Sequence, residues 1–493
     1  MRLQFVNVLF VLVDSLNRAD VPAYGGTSVT MPNVDRLARR AWRFDNHFVG
    51  SLPCMPARRE IFAGFKELLW RPWGGLEPGD ARLPKLAERA GHHTAIVTDH
   101  YHYWEESANG YLQAFQQTEL VRGHEWDNWR GPIGADEPVP RWVERIERWR
   151  PGAGRRYYAN VRDFHGEEDF FPARVFQAAA ARLRELRTPF FLHVESFDVH
   201  EPFHVPEPYR SQFGTAADDD RFTLWPPYQD PDALAAFMAE TTPEELRFIR
   251  GRYLAKAAMV DRWLGALLDV LDDRRLWDDT AVVLTTDHGH DLGGRGVFGK
   301  QYPHWDSHAN IPLLVWHPSF PGNGGAIDAL TATVDLHTTL AELAGVPVDA
   351  PHGRSLVPLL AGGGSQRDAL LYGTFGQGVC CTDGEWTVFK SPVGGPLYSY
   401  SSQLVESLVV DGLGVPDGHG RFVRGTAYPQ WRIPTKVRAL SDTDFLFHRP
   451  SDPGQERNLW ESHPEQRERL LDLLRRLVHA EGAPPEQLVR LGL

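Results

Sequence analysis

A cysteine, a proline and an arginine stand within five residues of one another at the predicted start of a helix. Cys54-Met55-Pro56-Ala57-Arg58 leads into a helical pattern that extends to residue 65. Pro56 suits a first helical turn, because its φ is preset and its missing N–H would be unpaired there. At a helix start Cys54 meets free backbone N–H groups and the positive end of the helix dipole, which favour an anion. The spacing indicates either an anion-favouring site at Cys54 with Arg58 beside it or a cysteine packed in the core.

Two aspartates end apolar runs that predict buried strands. Asp14 follows the run 6–13, and Asp287 ends the run 280–286 and precedes His288. In open α/β sheets ligands bind beyond the carboxyl ends of the strands, so we expect these three side chains to share one crevice. Two carboxylates and an imidazole are ligands for a divalent cation. A turn or a helix cap is the alternative for each aspartate taken singly.

The elements that would carry these residues alternate along the chain. Short apolar runs predict strands at 6–13, 94–98, 189–195, 280–286 and 311–316. Helical patterns lie between them, and the clearest, 244–272, begins with a capping box at Thr242-Pro243-Glu244-Glu245. The alternation predicts an α/β fold with a largely parallel sheet and helices on both faces. The stretch 100–235 is rich in Trp, Tyr, Pro and acidic residues and is interpreted as long insertions around a site.

A glycine-rich joint at 361–366 divides the 493-residue chain. We predict a larger α/β domain over 1–365 and a smaller C-terminal α+β subdomain over 366–493. Within the second, 386–390 and 443–447 predict strands, and 465–479 predicts an amphipathic helix.

Composition excludes several classes of protein. The net charge of −13 argues against binding of nucleic acid or of an anionic membrane surface. No window reaches the ~20 apolar residues of a membrane span. The apolar run at 5–13 is short and lacks a small-residue cleavage site, so we interpret it as a buried strand. Three cysteines, two of them adjacent, favour a reducing compartment, and we expect a cytoplasmic protein with Cys54 free for modification.

Ordered motifs along most of the chain resemble the type I sulfatases, a family in the alkaline phosphatase superfamily. Cys-x-Pro-x-Arg at 54–58 is similar to the signature of that family. The remaining matches follow in the family's order: Asn7–Asp14, Phe197–Pro202, Thr285–Gly289, Lys300 in a Gly-Lys pair, Ile311–Leu314, Val334–Leu336 and Asp452–Leu459.

The resemblance implies a fold and a chemistry. The fold is the alkaline-phosphatase-like sandwich with a large, mostly parallel sheet. The cysteine, Cys54, is oxidised to formylglycine by a formylglycine-generating or equivalent enzyme, and the hydrated aldehyde is the nucleophile. Asp14, Asp287, His288 and residue 54 hold one divalent metal ion. Arg58 and Lys300 bind the substrate oxygens, and His200 acts on the leaving-group side, where an imidazole suits proton transfer.

Departures from the family pattern bear on the metal and the substrate. Ser15 stands where many members have a second aspartate, and His288 stands where calcium-type members often have asparagine. A nitrogen donor with fewer carboxylates favours Mn²⁺, with Ca²⁺ as the alternative. The segment 97–104 replaces the family's Gly-Lys-Trp-His, so its histidines are assigned only as pocket candidates. Four histidines form that candidate set: His100, His102, His304 and His308.

The sequence thus predicts a formylglycine-dependent hydrolase of small sulfate esters, and a homo-oligomer is compatible with it. The first alternative is the same machinery acting on phosphonate monoesters or phosphodiesters, because the pattern resembles the branch with phosphonate monoester hydrolases. The second alternative is a sulfatase-like binding protein without catalytic activity, whose Cys54 stays unmodified.

Overall fold

An eight-stranded sheet forms the centre of this computed structural model. The structure describes residues 6–105, 108–214, 216–348, 350–403, 415–423, 426, 428–435 and 441–493. The strands of the central sheet are, in spatial order, Ala326–Ile327, Trp42–Phe44, Leu313–Trp316, Thr280–Thr285, Asn7–Val13, Phe190–Ser196, His93–Thr98 and Gln117–Leu120. The five strands from Thr280–Thr285 to Gln117–Leu120 pair in parallel, and Leu313–Trp316 runs antiparallel to both of its neighbours. The prediction of a large, mostly parallel sheet is confirmed.

Alternate residues of the strand Asn7–Val13 pack on opposite faces of this sheet. Leu9, Val11 and Val13 belong to one hydrophobic core. Val8, Phe10 and Leu12 belong to another. Because both faces are covered, the strand is apolar at nearly every position, as in buried parallel sheets.

Helices cover the two faces. The α-helices of the described residues are Pro32–Ala38, Cys54–Ala63, Leu83–Arg89, Arg141–Trp149, Ala153–Val161, Phe171–Glu185, Tyr209–Gln212, Ala216–Asp219, Pro231–Glu240, Pro243–Asp273, Asp306–Ala309, Val334–Leu343, Val357–Leu360, Pro464–Ala480 and Glu486–Leu491. Short 3₁₀ turns lie at Arg18–Asp20, Pro22–Tyr24, Tyr101–Trp104, Leu112–Ala114, Glu167–Asp169 and Leu276–Asp278.

The longest helix, Pro243–Asp273, begins as its sequence predicts. The Thr242 side chain accepts a hydrogen bond from the backbone N–H of Glu245 at 3.2 Å, which satisfies one of the free N–H groups of the first turn. The helix packs on Phe171–Glu185 and buries one of the two cores.

The stretch 100–235 contributes more to the fold than the predicted insertions. It supplies the edge strand Gln117–Leu120 and the core helix Phe171–Glu185, which the sequence reading missed. The strand is short and only partly buried, so it lacks the continuous apolar run of the inner strands.

A smaller sheet lies in the C-terminal region. Its strands are, in spatial order, Phe445–His448, Trp386–Lys390, Val379–Thr382, Leu370–Thr374 and Ser51–Leu52. A three-stranded sheet of Tyr398–Ser401, Gln430–Pro434 and Gly418–Gly420 follows, and two-stranded ladders join Asp291–Leu292 to Phe298–Gly299 and His47–Phe48 to Thr331–Ala332. Because Ser51–Leu52 leads directly into the helix of Cys54, this sheet supports the start of that helix. The domain boundary at residue 365 stays a prediction.

Among the described residues, no helix combines the length and the apolar character that crossing a membrane requires.

Candidate active site

Three neighbouring parallel strands deliver their following residues to one edge of the central sheet. Asn7–Val13 pairs with Phe190–Ser196 on one side and with Thr280–Thr285 on the other, and Val13 lies opposite Ser196. The chain leaves these strands through Asp14, Phe197 and Thr286 respectively. The crevice beyond carboxyl strand ends is where α/β sheets bind ligands, and the predicted site residues therefore meet there.

Cys54 is the first residue of the helix Cys54–Ala63 and is 2% exposed. The helix starts two residues earlier than Pro56 indicates, yet the missing N–H of Pro56 still belongs to the first turn, where N–H groups have no helical partner. The Cys54 Sγ lies 3.1 Å from Nε2 of His288. The helix therefore presents its first side chain to the ends of the strands.

Four side chains form a set that fits one metal ion. Ligand atoms of Asp14, Cys54, Asp287 and His288 all lie within 4.8 Å of one another, and all four residues are buried. The donors are two carboxylates, an imidazole and the atom at position 54, and this mixture of oxygen and nitrogen suits a divalent transition-metal ion. The predicted ligand residues thus lie together, although 14, 54 and 287 are far apart in the chain.

Ser15 supports this set in place of a second aspartate. Its hydroxyl donates to Oδ1 of Asp14 at 2.7 Å, and its backbone N–H donates to Oδ1 of Asp287 at 3.2 Å. Its φ of +62° lies in the left-handed region, which is uncommon for serine. Ser15 therefore orients both carboxylates without adding a third negative charge.

Arg58 bridges the carboxylates and the start of the helix. Its three nitrogens donate to Asp14 at 2.7 Å, to Asp287 at 2.5 Å and to Glu195 at 2.6 Å. A further bond reaches the carbonyl oxygen of Cys54 at 3.0 Å. The planar fork of guanidinium suits such multiple contacts. In this arrangement Arg58 fixes the carboxylates of Asp14 and Asp287, and a clamp by Arg58 on substrate oxygens stays a prediction.

The two aspartates differ in how readily they hold a negative charge. Burial and the neighbouring Asp287 carboxylate raise the pKa of Asp14 to about 7. Although burial opposes its charge too, the Arg58 guanidinium, by its charge and its hydrogen bond, holds the pKa of Asp287 well below its usual range. Burial lowers the pKa of His288 to about 3, so its imidazole is neutral and available as a ligand. The site therefore needs to lose one proton, from Asp14, before both carboxylates can bind a cation.

Lys300 and His200 lie together on another side of the crevice. Nζ of Lys300 is within hydrogen-bond distance of Nε2 of His200, and both side chains are buried. The Glu201 carboxylate and the Tyr228 hydroxyl raise the pKa of Lys300 against the effect of burial, and its ammonium stays charged. A buried cation beside an imidazole is suited to an anionic substrate group and its leaving oxygen.

The two histidines of the segment 97–104 lie near these groups. Nε2 of His100 is 4.0 Å from Oδ2 of Asp14, and neither ring nitrogen of His100 has a hydrogen-bond partner. Nδ1 of His102 lies 2.8 Å from Glu105, and Nε2 lies 3.7 Å from Glu125. His100 thus lies beside Asp14, and His102 lies beside Glu125, which in turn contacts His200.

The other two candidate histidines, His304 and His308, form a hydrogen bond with each other. Nδ1 of His304 lies 3.1 Å from Nε2 of His308, whose Nδ1 lies 2.9 Å from Asp291. The second nitrogen of His304 contacts the Thr374 hydroxyl at 3.2 Å. This chain of contacts runs beside the site, and a role of these histidines in substrate binding stays a prediction.

Sequence reasoning missed two glutamates of the site. Glu195, in the strand Phe190–Ser196, receives Arg58, and Glu125, from a loop, lies 2.9 Å from His200. An acidic residue in a strand that is otherwise apolar was a signal for Glu195. Glu125 carries no such signal, because its loop is rich in acidic residues throughout.

Comparison with known proteins agrees with the family resemblance found in the sequence. The family model described as Sulfatase matches residues 6–346. The chain is 26% identical over 378 residues to a choline-sulfatase of Rhizobium meliloti, with 72% of each chain covered. It is 27% identical over 399 residues to the human iduronate 2-sulfatase, with 72% of this chain and 68% of the relative covered.

Solved structures agree on the fold. The structure of a phosphonate monoester hydrolase of Agrobacterium radiobacter superposes with a TM-score of 0.67 at 20% identity, covering 97% of this chain and 95% of the other. At that identity the likeness concerns the architecture, and it matches the expected sandwich.

Proposed function

The chain belongs to the sulfatase family, and on that premise we propose that it hydrolyses sulfate esters with a formylglycine formed from Cys54 and one divalent metal ion. The observation that carries this proposal is the meeting of Cys54, Asp14, Asp287 and His288 at one buried point. A core cysteine at a helix start would need none of these polar neighbours, whose burial is unfavourable unless they are paired or bind a cation.

The metal site would be held by Asp14, Asp287, His288 and residue 54. A bound divalent ion would polarise the ester oxygens and lower the pKa of a hydroxyl group. The imidazole donor and the absence of a third carboxylate at Ser15 support Mn²⁺ over Ca²⁺. Hydrated formylglycine supplies a nucleophilic hydroxyl and a second hydroxyl whose ionisation releases the sulfate again.

The chain's own residues then act on the substrate. Lys300 binds the anionic oxygens and offsets the charge that develops on them. Arg58 keeps Asp14 and Asp287 in place by its two hydrogen bonds. Nε2 of His200 accepts from the Lys300 ammonium in the free site. Once that ammonium binds the ester, Nε2 is free to take up a proton and to donate it to the leaving oxygen.

The modification of Cys54 involves a partner. We propose that a formylglycine-generating or equivalent enzyme in the cytoplasm oxidises this thiol. Because Cys54 is only 2% exposed in the folded chain, that enzyme would reach it before folding is complete.

One panel of esters tests the function directly. Protein with verified aldehyde at position 54 and a defined metal content would be given an aryl sulfate, an aryl phosphonate monoester and an aryl phosphodiester. We expect the highest kcat/KM on the sulfate. A higher value on the phosphonate would favour the alternative that the fold likeness to a phosphonate monoester hydrolase supports. No turnover of any ester would favour the catalytically silent binding protein.

Metal affinity should depend on pH through Asp14. Since the pKa of Asp14 is about 7 in the metal-free site, a cation must displace a proton below that pH. Apparent affinity should therefore fall by about tenfold per pH unit below pH 7 and level off above it. Calorimetric titration of Cys54→Ala with Mn²⁺ between pH 5.5 and 8.5, pH values that bracket that pKa, checks this without a contribution from position 54.

The matched control is the double variant Cys54→Ala, Asp14→Asn, which has no proton to lose at position 14. It should bind more weakly and show no such slope. A flat affinity profile in Cys54→Ala itself would contradict the proton competition at Asp14.

His200 should matter most when the leaving group is poor. General-acid assistance is typically worth ~10²–10⁴-fold and helps a basic alkoxide more than an acidic phenoxide. His200→Ala should therefore reduce kcat on alkyl sulfates strongly and on nitrophenyl sulfate only mildly. His463→Ala, at an exposed histidine ahead of the helix Pro464–Ala480, is the control. Equal losses on both esters would assign His200 to binding instead.

A further inference from the structure

The imidazole of His200 is held in one orientation by a hydrogen bond of its Nδ1 to the Glu201 carbonyl and by a contact of the same nitrogen with the buried Glu125 carboxylate. Nδ1 of His200 lies 2.9 Å from Oε1 of Glu125, 2.9 Å from the carbonyl oxygen of Glu201 and 3.3 Å from its Oε2. All three oxygens are hydrogen-bond acceptors. Nδ1 must therefore carry a proton whether the ring is neutral or charged.

The other ring nitrogen of His200, Nε2, lies on the side of Lys300. With Nδ1 protonated, Nε2 is the position where His200 gains or loses its second proton. Nε2 lies beside Nζ of Lys300, and the ring is stacked on Phe197 with centroids 4.3 Å apart. The stacking fixes the plane of the ring, and the contacts of Nδ1 fix which edge points to the leaving group.

Glu125 is itself held firmly. It is 4% exposed and has a φ of +44°, which is uncommon for a residue other than glycine. Asp127 braces the same turn, because its backbone N–H donates to the His124 carbonyl and its carboxylate accepts from the backbone N–H of Gly123. Backbone strain that the surroundings impose is common at functional sites.

The same atoms resemble a second cation site, because ligand atoms of Glu125, His200 and Glu201 lie within 4.8 Å of one another. A proton on Nδ1 already satisfies this arrangement, and the Lys300 ammonium lies on the other side of the ring. The Nδ1 proton and the Lys300 charge therefore offset the two carboxylates without a second ion. Both carboxylate oxygens of Glu201 lack a hydrogen-bond partner among the described residues, so its contribution is that of its charge.

We propose that Glu125 is a positioning residue for His200: its carboxylate accepts the Nδ1 proton, directs Nε2 at the leaving oxygen and balances the positive charge of the ring. This inference rests on the proposed ester hydrolysis. In the free site Nε2 accepts a hydrogen bond from the Lys300 ammonium, which can only donate. When that ammonium binds the anionic ester instead, Nε2 takes up a proton from water. In the step itself, this Nε2–H bond breaks, its electron pair stays on nitrogen, and the proton joins the departing alkoxide. The neutral ring keeps its proton on Nδ1, which continues to point at Glu125, and Nε2 regains a proton from water.

The charges around the ring agree with this role. Burial disfavours the imidazolium, but Glu201 and Glu125 outweigh burial and Lys300 and raise the pKa of His200. The charged and titratable groups that act on His200 or lie close to it include Glu125, Glu201, Lys300, Asp14, His100, His288 and His290. Removing the charge of Glu125 should thus lower the pKa of His200.

The test compares Glu125→Gln with wild-type enzyme on an alkyl and a nitrophenyl sulfate. We expect a loss of about 10–100-fold in kcat on the alkyl ester, the size of effect that follows when a metal-ligating histidine loses its hydrogen-bond partner, and little loss on the nitrophenyl ester. Because the acid must be protonated, the high-pH limb of kcat should move to lower pH. Glu125→Asp, which keeps the charge, should recover part of the loss, and Glu137→Gln, at an exposed position of the same insertion, should match wild type.

Three results would overturn the proposal. The first is an unchanged pH limb and leaving-group dependence in Glu125→Gln. The second is an equal loss on both esters together with a lower Tm, which marks a structural role. The third is two metal ions per chain in wild type and one in Glu125→Gln by elemental analysis. The ¹⁵N spectrum of labelled histidine, with His200 assigned by its loss in His200→Gln, should show Nδ1 protonated. That measurement is independent of turnover, so it still tests the orientation if no ester is hydrolysed.

Discussion

Cys54→Ala should abolish ester hydrolysis and leave the fold intact. The variant removes the atom that becomes the nucleophile, and loss of a nucleophile typically lowers kcat by ~10⁴-fold or more. The substitution removes a single sulfur from the start of the helix Cys54–Ala63, so Tm should change little. Peptide mass spectrometry of the wild type should show the aldehyde at position 54, and kinetics on an aryl sulfate give the loss.

The chain offers a close control in Cys381, which is also buried but lies in the strand Val379–Thr382. Cys381→Ala should keep full activity. Cys54→Ser adds a chemical test, because a serine ester has no second hydroxyl to expel sulfate. It should release at most one equivalent of alcohol per chain and then stop. Full turnover by Cys54→Ala would refute the assignment of the nucleophile.

Arg58→Met should destabilise the protein strongly, and divalent metal should restore part of the loss. The Arg58 side chain is 1% exposed and pairs with three fully buried carboxylates, those of Asp14, Asp287 and Glu195. Removing one partner of a buried ion pair typically lowers the free energy of unfolding by about 3–5 kcal/mol. A bound cation can neutralise Asp14 and Asp287, but Glu195 loses its guanidinium partner and keeps the Thr98 hydroxyl at 3.0 Å and His193 at 3.6 Å. Thermal unfolding with chelator and with Mn²⁺ measures both effects.

Arg252→Met is the matched control, because Arg252 is equally buried and pairs with Asp219 away from the site. Its loss of stability should not depend on metal, and its kcat should stay near that of wild type. Arg58→Lys should fall between wild type and Arg58→Met, since an ammonium keeps the charge but cannot make the forked contacts. An Arg58→Met protein as stable as wild type in chelator would contradict the bridging role.

Strands and helices with a strong apolar pattern were predictable from the sequence. The inner strands and the helix Pro243–Asp273 agree with their predicted bounds to within two residues. The helix has its capping box, and Trp386–Lys390 is found as predicted. These elements are set by local propensity and by burial on both faces, which leave a clear periodic signal. The edge strand Gln117–Leu120 lacks that signal, because only its inner neighbour pairs with it.

The sequence by itself determined the types of the reacting groups: a cysteine at a helix start, aspartates that follow strands, and a lysine and a histidine in short motifs. Residue types and local spacings are taken directly from the sequence, so it was possible to predict that Asp14, Cys54, Asp287 and His288 belong to one site. Only the tertiary structure shows that Arg58 donates to three carboxylates, that Ser15 donates to two of them and that Glu125 contacts His200. Those contacts join loops far apart in sequence, and their distances depend on how the strands pair and how the helices pack, which no local pattern encodes.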